Sequence, residues 1–239
     1  MIVIHMGRIQ KAAGIFIAIA VMIFSLSLKS NKIEPVLSYN SFIFININLM
    51  GTSYETNDFS ERHVTGSGAV IKSDRDETLI LTAAHVCFPS NDAIESSNFS
   101  LMKFITVRDW SGNEHYATVY AVDNNNDMCI LRTGRTDIPS LKISRIPPRV
   151  GERVYNLASP FGIFGNKFVL TFEGFYSGQI LSENQQIYTI PAAPGSSGSP
   201  ILNENGHLIG MIHSATSAIE NIAIGPRTDI MVDFISRNN

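Results

Sequence analysis

Thr78-Leu79-Ile80-Leu81-Thr82-Ala83-Ala84-His85-Val86 is the stretch on which the reading of this chain turns. An apolar run of strand length, rich in Leu, Ile and Thr, leads through two alanines into a histidine. Outward from it the chain reads as short apolar pieces parted by Gly, Asn, Asp, Ser and Pro, the pattern of antiparallel β-structure with turns. Such pieces lie at Phe42–Ile45, Gly68–Ile71, Phe104–Val107, Tyr116–Val122, Met128–Leu131, Arg149–Leu157 and Phe168–Phe172, then at Tyr188–Ile190, Ile201–Leu202, Leu208–His213 and Asn221–Ile224. The stretch Asn124-Asn125-Asn126 reads as a turn. Helical periodicity shows only near the C-terminus, where Ile230, Val232, Phe234 and Ile235 make an apolar face and Thr228 or Asp229 supplies a start signal.

Composition agrees with a folded body. The 239 residues are 44% hydrophobic and 16% charged, with a formal net charge of -3. That is enough chain for a substantial core, and it lacks the concentrated basic surface that a nucleic-acid partner requires. The N-terminus breaks the pattern. Ala12–Leu28 is almost uninterruptedly apolar, with Arg8 and Lys11 before it and Lys29 after it. It reads as a hydrophobic helix that serves as a signal-peptide core, with Ser25-Leu26-Ser27 as a cleavage site, or as a membrane anchor. Either reading makes the protein exported: secreted, periplasmic, or anchored by residues 12–28 with its body outside the cytoplasm. Cys87 and Cys129 fit two buried thiols or one bridge, and no cluster of metal ligands stands out.

Three segments carry chemistry when taken together: Ala84-His85-Val86, Asn126-Asp127-Met128, and Gly195-Ser196-Ser197-Gly198-Ser199-Pro200. A serine hydroxyl is a poor nucleophile until an imidazole takes its proton, and that imidazole needs a carboxylate to fix its tautomer. Glycines beside the serine let backbone amides turn toward a developing oxyanion.

In these segments the chain resembles the trypsin-like (chymotrypsin-fold) serine proteases, nearest to the bacterial periplasmic group and the glutamyl endopeptidases. TAAHV, NNNDMCIL and GSSGSP stand for the family's three motifs in its own order. Gly66-Ser67-Gly68-Ala69-Val70-Ile71, Gly151–Gly162 and Leu208–His213 resemble the segments between them. The resemblance implies an all-β fold of two packed six-stranded antiparallel Greek-key barrels with a short C-terminal helix. The first barrel is expected over residues 63–145 and the second, with the helix, over 146–239, after a linker and possible first strand at 29–62. No PDZ-like segment is expected after the helix.

It implies a serine endopeptidase acting on protein or peptide substrates through His85, Asp127 and Ser197, with no cofactor and no metal. The oxyanion hole falls on Gly195 and Ser197, and the substrate-binding residues on Ala192, Ala193, Ile212, His213 and Ser214. A silent binding module and an esterase are the other readings of the same residues. No acidic residue stands where a preference for Lys or Arg would need one. Relatives that recognise Glu or Gln carry Gly-x-His, whereas this chain has Gly210-Met211-Ile212-His213. In a regular strand the added residue turns His213 to the opposite face and leaves Ile212 toward the pocket.

Overall fold

A computed structural model describes residues 35–53, 58–89, 99–216 and 218–239. The expected signal peptide or anchor at 12–28 lies outside them. Among the described residues no helix is long and apolar enough to cross a membrane, so the expectation of a transmembrane segment finds no support in them.

Six strands make the first half: β1 (Phe42–Ser53), β2 (Phe59–Ser73), β3 (Glu77–Thr82), β4 (Phe99–Arg108), β5 (Glu114–Asp123) and β6 (Met128–Gly134). They close in the order β1-β2-β3-β6-β5-β4, with β4 returning antiparallel to β1. The apolar stretch Phe42–Ile45 thus opens a barrel strand, and its alternating residues Ile43, Ile45, Ile47 and Leu49 are buried. Between β3 and β4 the chain makes one turn of helix, α1 (Ala84–Cys87).

The second half contains β7 (Arg153–Ala158), β8 (Phe164–Gly165), β9 (Phe168–Ile180), β10 (Gln185–Tyr188), β11 (Pro200–Leu202), β12 (Leu208–Met211), β13 (Ser214–Ala215) and β14 (Ala223–Pro226). Here the structure corrects the expectation of two closed barrels. These eight strands form an open sheet in the order β12-β11-β7-β9-β10-β14-β13, with β8 paired to β9. The sheet curls until its last strand, β13, lies two residues past its first, β12, yet no ladder closes it. The reason is local. β12 and β13 are two parts of one run of chain. Up to Ile212, which gives its N–H to Ser199 O (3.0 Å) and accepts from Gly198 N–H (2.7 Å), it pairs on the β11 side. From His213 onward it pairs with β14, so the ends of the sheet meet along the chain and not side by side. The outer edge of β12 is taken by the segment joining the two halves, through a parallel bridge between Ile143 and Leu208.

Burial on both faces explains why the central strands of this sheet read as continuous apolar runs. Along β7, Val154 enters the core inside the sheet while Tyr155 faces the core shared with the barrel; Ile201 and Leu202 divide in the same way, as do Ile209 and Leu208. The chain ends in α2 (Thr228–Arg237), which buries Thr228, Met231, Phe234 and Ile235. Met231 takes the place that the sequence reading gave to Ile230 and Val232, because positions 228, 231, 234 and 235 form one 3.6-residue stripe. The Thr228 hydroxyl does not cap the helix; it donates to Ile209 O at 2.6 Å and pins α2 to β12.

Candidate active site

His85 is the second residue of α1, and Asp127 ends the turn that precedes β6. That turn is set by Asp123, whose carboxylate accepts from the Asn125 and Asn126 N–H groups at 3.1 and 3.2 Å. Asp127 then takes a left-handed backbone conformation (φ 51°), a region that Asp tolerates better than most residues. Its carboxylate meets His85 twice. Oδ2 lies 2.7 Å from the ring Nδ1, and Oδ1 accepts from the His85 backbone N–H at 2.9 Å. The Asp127 carbonyl also receives Ala84 N–H at 3.2 Å. An ionised carboxylate only accepts, so Nδ1 carries the ring proton and Nε2 is left basic.

Burial pushes the Asp127 carboxyl up, but the His85 hydrogen bonds and the nearby His85 and His213 charges outweigh it and hold the group below its ordinary value. His213 is depressed in turn, by burial first, with Asp127 opposing that and His85 adding to it. His213 therefore sits within the field of the His85–Asp127 pair. Its backbone N–H donates to Ile224 O at 3.0 Å.

Ser197 is half-buried in a loop held against both halves of the molecule. Its carbonyl accepts Ser67 N–H at 2.8 Å. A side chain on Gly198 (φ 83°) would strike Ser67 O and Thr82 Oγ1 at 2.1 Å and come within 3.0 Å of Ala83 N, so only glycine lets the loop approach the strand that delivers His85. A side chain on Gly195 (φ 95°) would meet Ser159 O at 2.6 Å. Phe161 N–H donates to Pro194 O at 2.6 Å. In a trans peptide the N–H points opposite the carbonyl, so this bond directs the Gly195 N–H away from Phe161. Neither Gly195 N–H nor Ser197 N–H has a backbone acceptor among the described residues.

Beside Ser197 opens a cleft of about 340 Å³, lined by Ala192, Ala193, Pro194, Ser196, Ile212, Ser214 and their neighbours, with no charged side chain among them. Ile212 and Ser214 line it; His213, between them, does not. Ala192, Ala193, Ile212 and Ser214 are thus brought together, and His213 lies outside the cleft, within reach of the Asp127 charge.

Sequence reasoning missed the polar frame beneath the loop. The buried Ser67 hydroxyl donates to Gly195 O at 2.8 Å, pairs with Ser159 Oγ at 2.9 Å and accepts Ser159 N–H at 3.0 Å. Buried Asn156 of β7 donates to Ser199 Oγ at 2.8 Å and Pro200 O at 2.9 Å. Polar residues inside otherwise apolar strands were the available signal, and their partners lie 43 to 128 positions away.

The trypsin-like peptidase domain family matches residues 66–211. With a closed barrel, a curled second sheet and a serine loop packed against the strand that leads to a His–Asp pair, the chain belongs to that family. A probable periplasmic serine endoprotease, DegP-like, from Hahella chejuensis is 24% identical over 78% of this chain and 38% of its own length. Its counterpart in Halomonas elongata is 26% identical over 63% of this chain and 29% of its own length. The chain therefore spans well under half of these curated relatives. Among solved structures, the active form of the Rv3671c protease of M. tuberculosis superposes with a TM-score of 0.61 at 18% identity, covering 84% of this chain and 82% of that one. A serine endoprotease from Yersinia pestis gives 0.60 at 22% identity, covering 81% and 61%. These structural likenesses are of fold.

Proposed function

We propose that this protein is an exported serine endopeptidase in which Ser197 is the nucleophile, His85 the proton carrier and Asp127 its orienting carboxylate. The observation that carries this reading is the double hold of Asp127 on His85, at 2.7 Å to Nδ1 and 2.9 Å to the backbone N–H. It leaves Nε2 free to take the Ser197 proton as Oγ attacks the substrate carbonyl carbon. The negative charge then passes to the carbonyl oxygen, where the Gly195 and Ser197 N–H groups receive it. Collapse of the intermediate breaks the C–N bond, the amine leaves with the proton from His85, and water activated by His85 hydrolyses the acyl-enzyme.

A peptide substrate is favoured over a simple ester by the open sheet. β13 is its terminal strand, both of its residues are exposed, and Ser214 and Ala215 also line the cleft. Such an edge accepts an extended peptide by strand addition. The uncharged lining, with Ile212 at its wall, fits a small aliphatic residue at the cleavage position. Export is supported by the curated relatives, which are described as periplasmic, and by the Cys87–Cys129 disulfide, a bond that persists in oxidising compartments.

The test is labelling by a serine-directed phosphonate, followed by cleavage of a peptide library. Ser197→Ala should fold like the parent but take up no label, and the parent should cut after Ala or Val in preference to Glu, Lys or Arg. Equal labelling of parent and variant would overturn the assignment.

A further inference from the structure

Cys87 lies two residues after His85, and Cys129 two residues after Asp127. The two cysteines are joined in a disulfide across the same 42-residue separation that parts the histidine from the aspartate. We propose that this bridge is a positioning element for the His85–Asp127 pair, holding the imidazole at the carboxylate rather than serving only as a staple of the barrel. The proposal rests on the reading of that pair given above.

Along its own element His85 is held by the packing of Ala84 and Val86, which are buried in the core, and not by helix stability. α1 is a single turn of four residues, with no side-chain cap at its N-terminus, and helices this short have no stability of their own. Asp127 grips the first part of the turn through Ala84 N–H, His85 N–H and the ring. The bridge grips its last residue. Cys129 is the second residue of β6, paired with Thr82 at the end of β3 in the closed barrel. Both cysteines are fully buried.

The turn bearing His85 is thus tied at both ends to the strand bearing Asp127. Rotation of α1 about either tie would carry Nδ1 off Oδ2, and the other tie opposes it. The Cys87 carbonyl is also held, by the Lys103 ammonium at 3.0 Å. Lys103 lies 4.1 Å from the Phe88 ring centre, so the end of the turn is anchored from β4 as well. This leaves the bridge as the one covalent link, and it joins the elements that carry the two reacting partners.

The experiment compares the full chain with Cys87→Ala/Cys129→Ala. Two readouts are taken: kcat and KM on a peptide substrate, and the low-field proton resonance of the His85 Nδ1–H bound to Asp127. Misplacing a catalytic group by about 1 Å costs on the order of 100-fold in rate, so kcat should fall by about 10- to 100-fold with KM little changed. The Nδ1–H resonance should broaden or disappear. A folded double variant with parental kcat and an unchanged resonance would overturn the proposal and leave the bridge as a staple.

Should the double variant fail to fold, the parent protein is partly reduced with dithiothreitol. The reagent's two thiols give two electrons and two protons to the bridge and close to a cyclic disulfide. Alkylation then marks the reduced fraction. Phosphonate labelling confined to the bridged fraction supports the proposal, and equal labelling of both fractions sinks it. The resonance needs no turnover, so a parent protein without peptidase activity would defeat the functional reading while the bridge was still tested.

Discussion

Ser67 is the residue whose importance the motifs least advertise. Its single hydroxyl joins β2 of the barrel, the Ser159 segment after β7 and the carbonyl of Gly195. Ser67→Ala leaves a buried carbonyl and a buried N–H without that partner, at a cost of about 1–3 kcal/mol. It also frees the Gly195 peptide, so kcat should fall by about 10-fold or more while KM holds; steady-state kinetics beside a denaturant curve separates the two effects.

His213 makes the second residue-scale prediction. Its imidazole is depressed below the usual value of about 6.5 by burial, partly opposed by Asp127. As pH falls below about 6.5 the unfolded chain takes up a proton that the folded chain refuses, so stability declines from there down to the folded value and then levels. Asp127, also depressed on balance, contributes stability that is present above its ordinary value and is lost as pH falls through its lower folded value. His213→Asn should therefore flatten the upper decline in urea unfolding followed from pH 7 to pH 4. An unchanged slope there would show that His213 is not the group responsible.

At the scale of elements, α2 shows how a legible helix can carry a misassigned face. The apolar residues 230, 232, 234 and 235 were visible, but the stripe that packs runs through Thr228, Met231, Phe234 and Ile235. A threonine looks like a start signal in sequence, and here its hydroxyl is spent on Ile209 of β12. Phe234 belongs to the core shared with the barrel. Phe234→Ala should cost about 3–5 kcal/mol, read as a lower unfolding midpoint, with phosphonate labelling of the folded fraction retained. The site elements were legible for a different reason: histidine, aspartate and serine each sit in a short motif whose neighbours are themselves constrained, as the clash at Gly198 shows.

Across the whole molecule, the Cys87–Cys129 link closes a loop over 42 positions of a barrel whose consecutive strands pair as hairpins and whose closure rests on two distant pairings, β3 with β6 and β1 with β4. Restricting the unfolded chain in this way contributes about 2–4 kcal/mol. Thermal unfolding of the Cys87→Ala/Cys129→Ala chain should show that loss, and a parental midpoint would show that the unfolded chain gains nothing from the link. The open second sheet is the larger lesson. The resemblance to the protease family implied a second closed barrel. Instead, one run of chain pairs with β11 up to Ile212 and with β14 from His213 onward, a change of partner that no local pattern records.

The sequence by itself determined the β-rich character of the chain, the C-terminal helix and the three segments proposed to bear the reacting groups. Those features follow from side-chain periodicity, turn chemistry and short-range spacing, which are written along the chain. Only the tertiary structure decided that the cysteines are joined, that the second sheet stays open, that Ile212 lines the cleft while His213 does not, and that Ser67 supports the loop. Each of these depends on which distant backbone group accepts a hydrogen bond or which distant side chain fills a space, and that is settled by packing. The histidine at the end of Thr78–Val86 marks where the two kinds of information meet: its place in the motif is local, and the carboxylate and disulfide that hold it come from another strand.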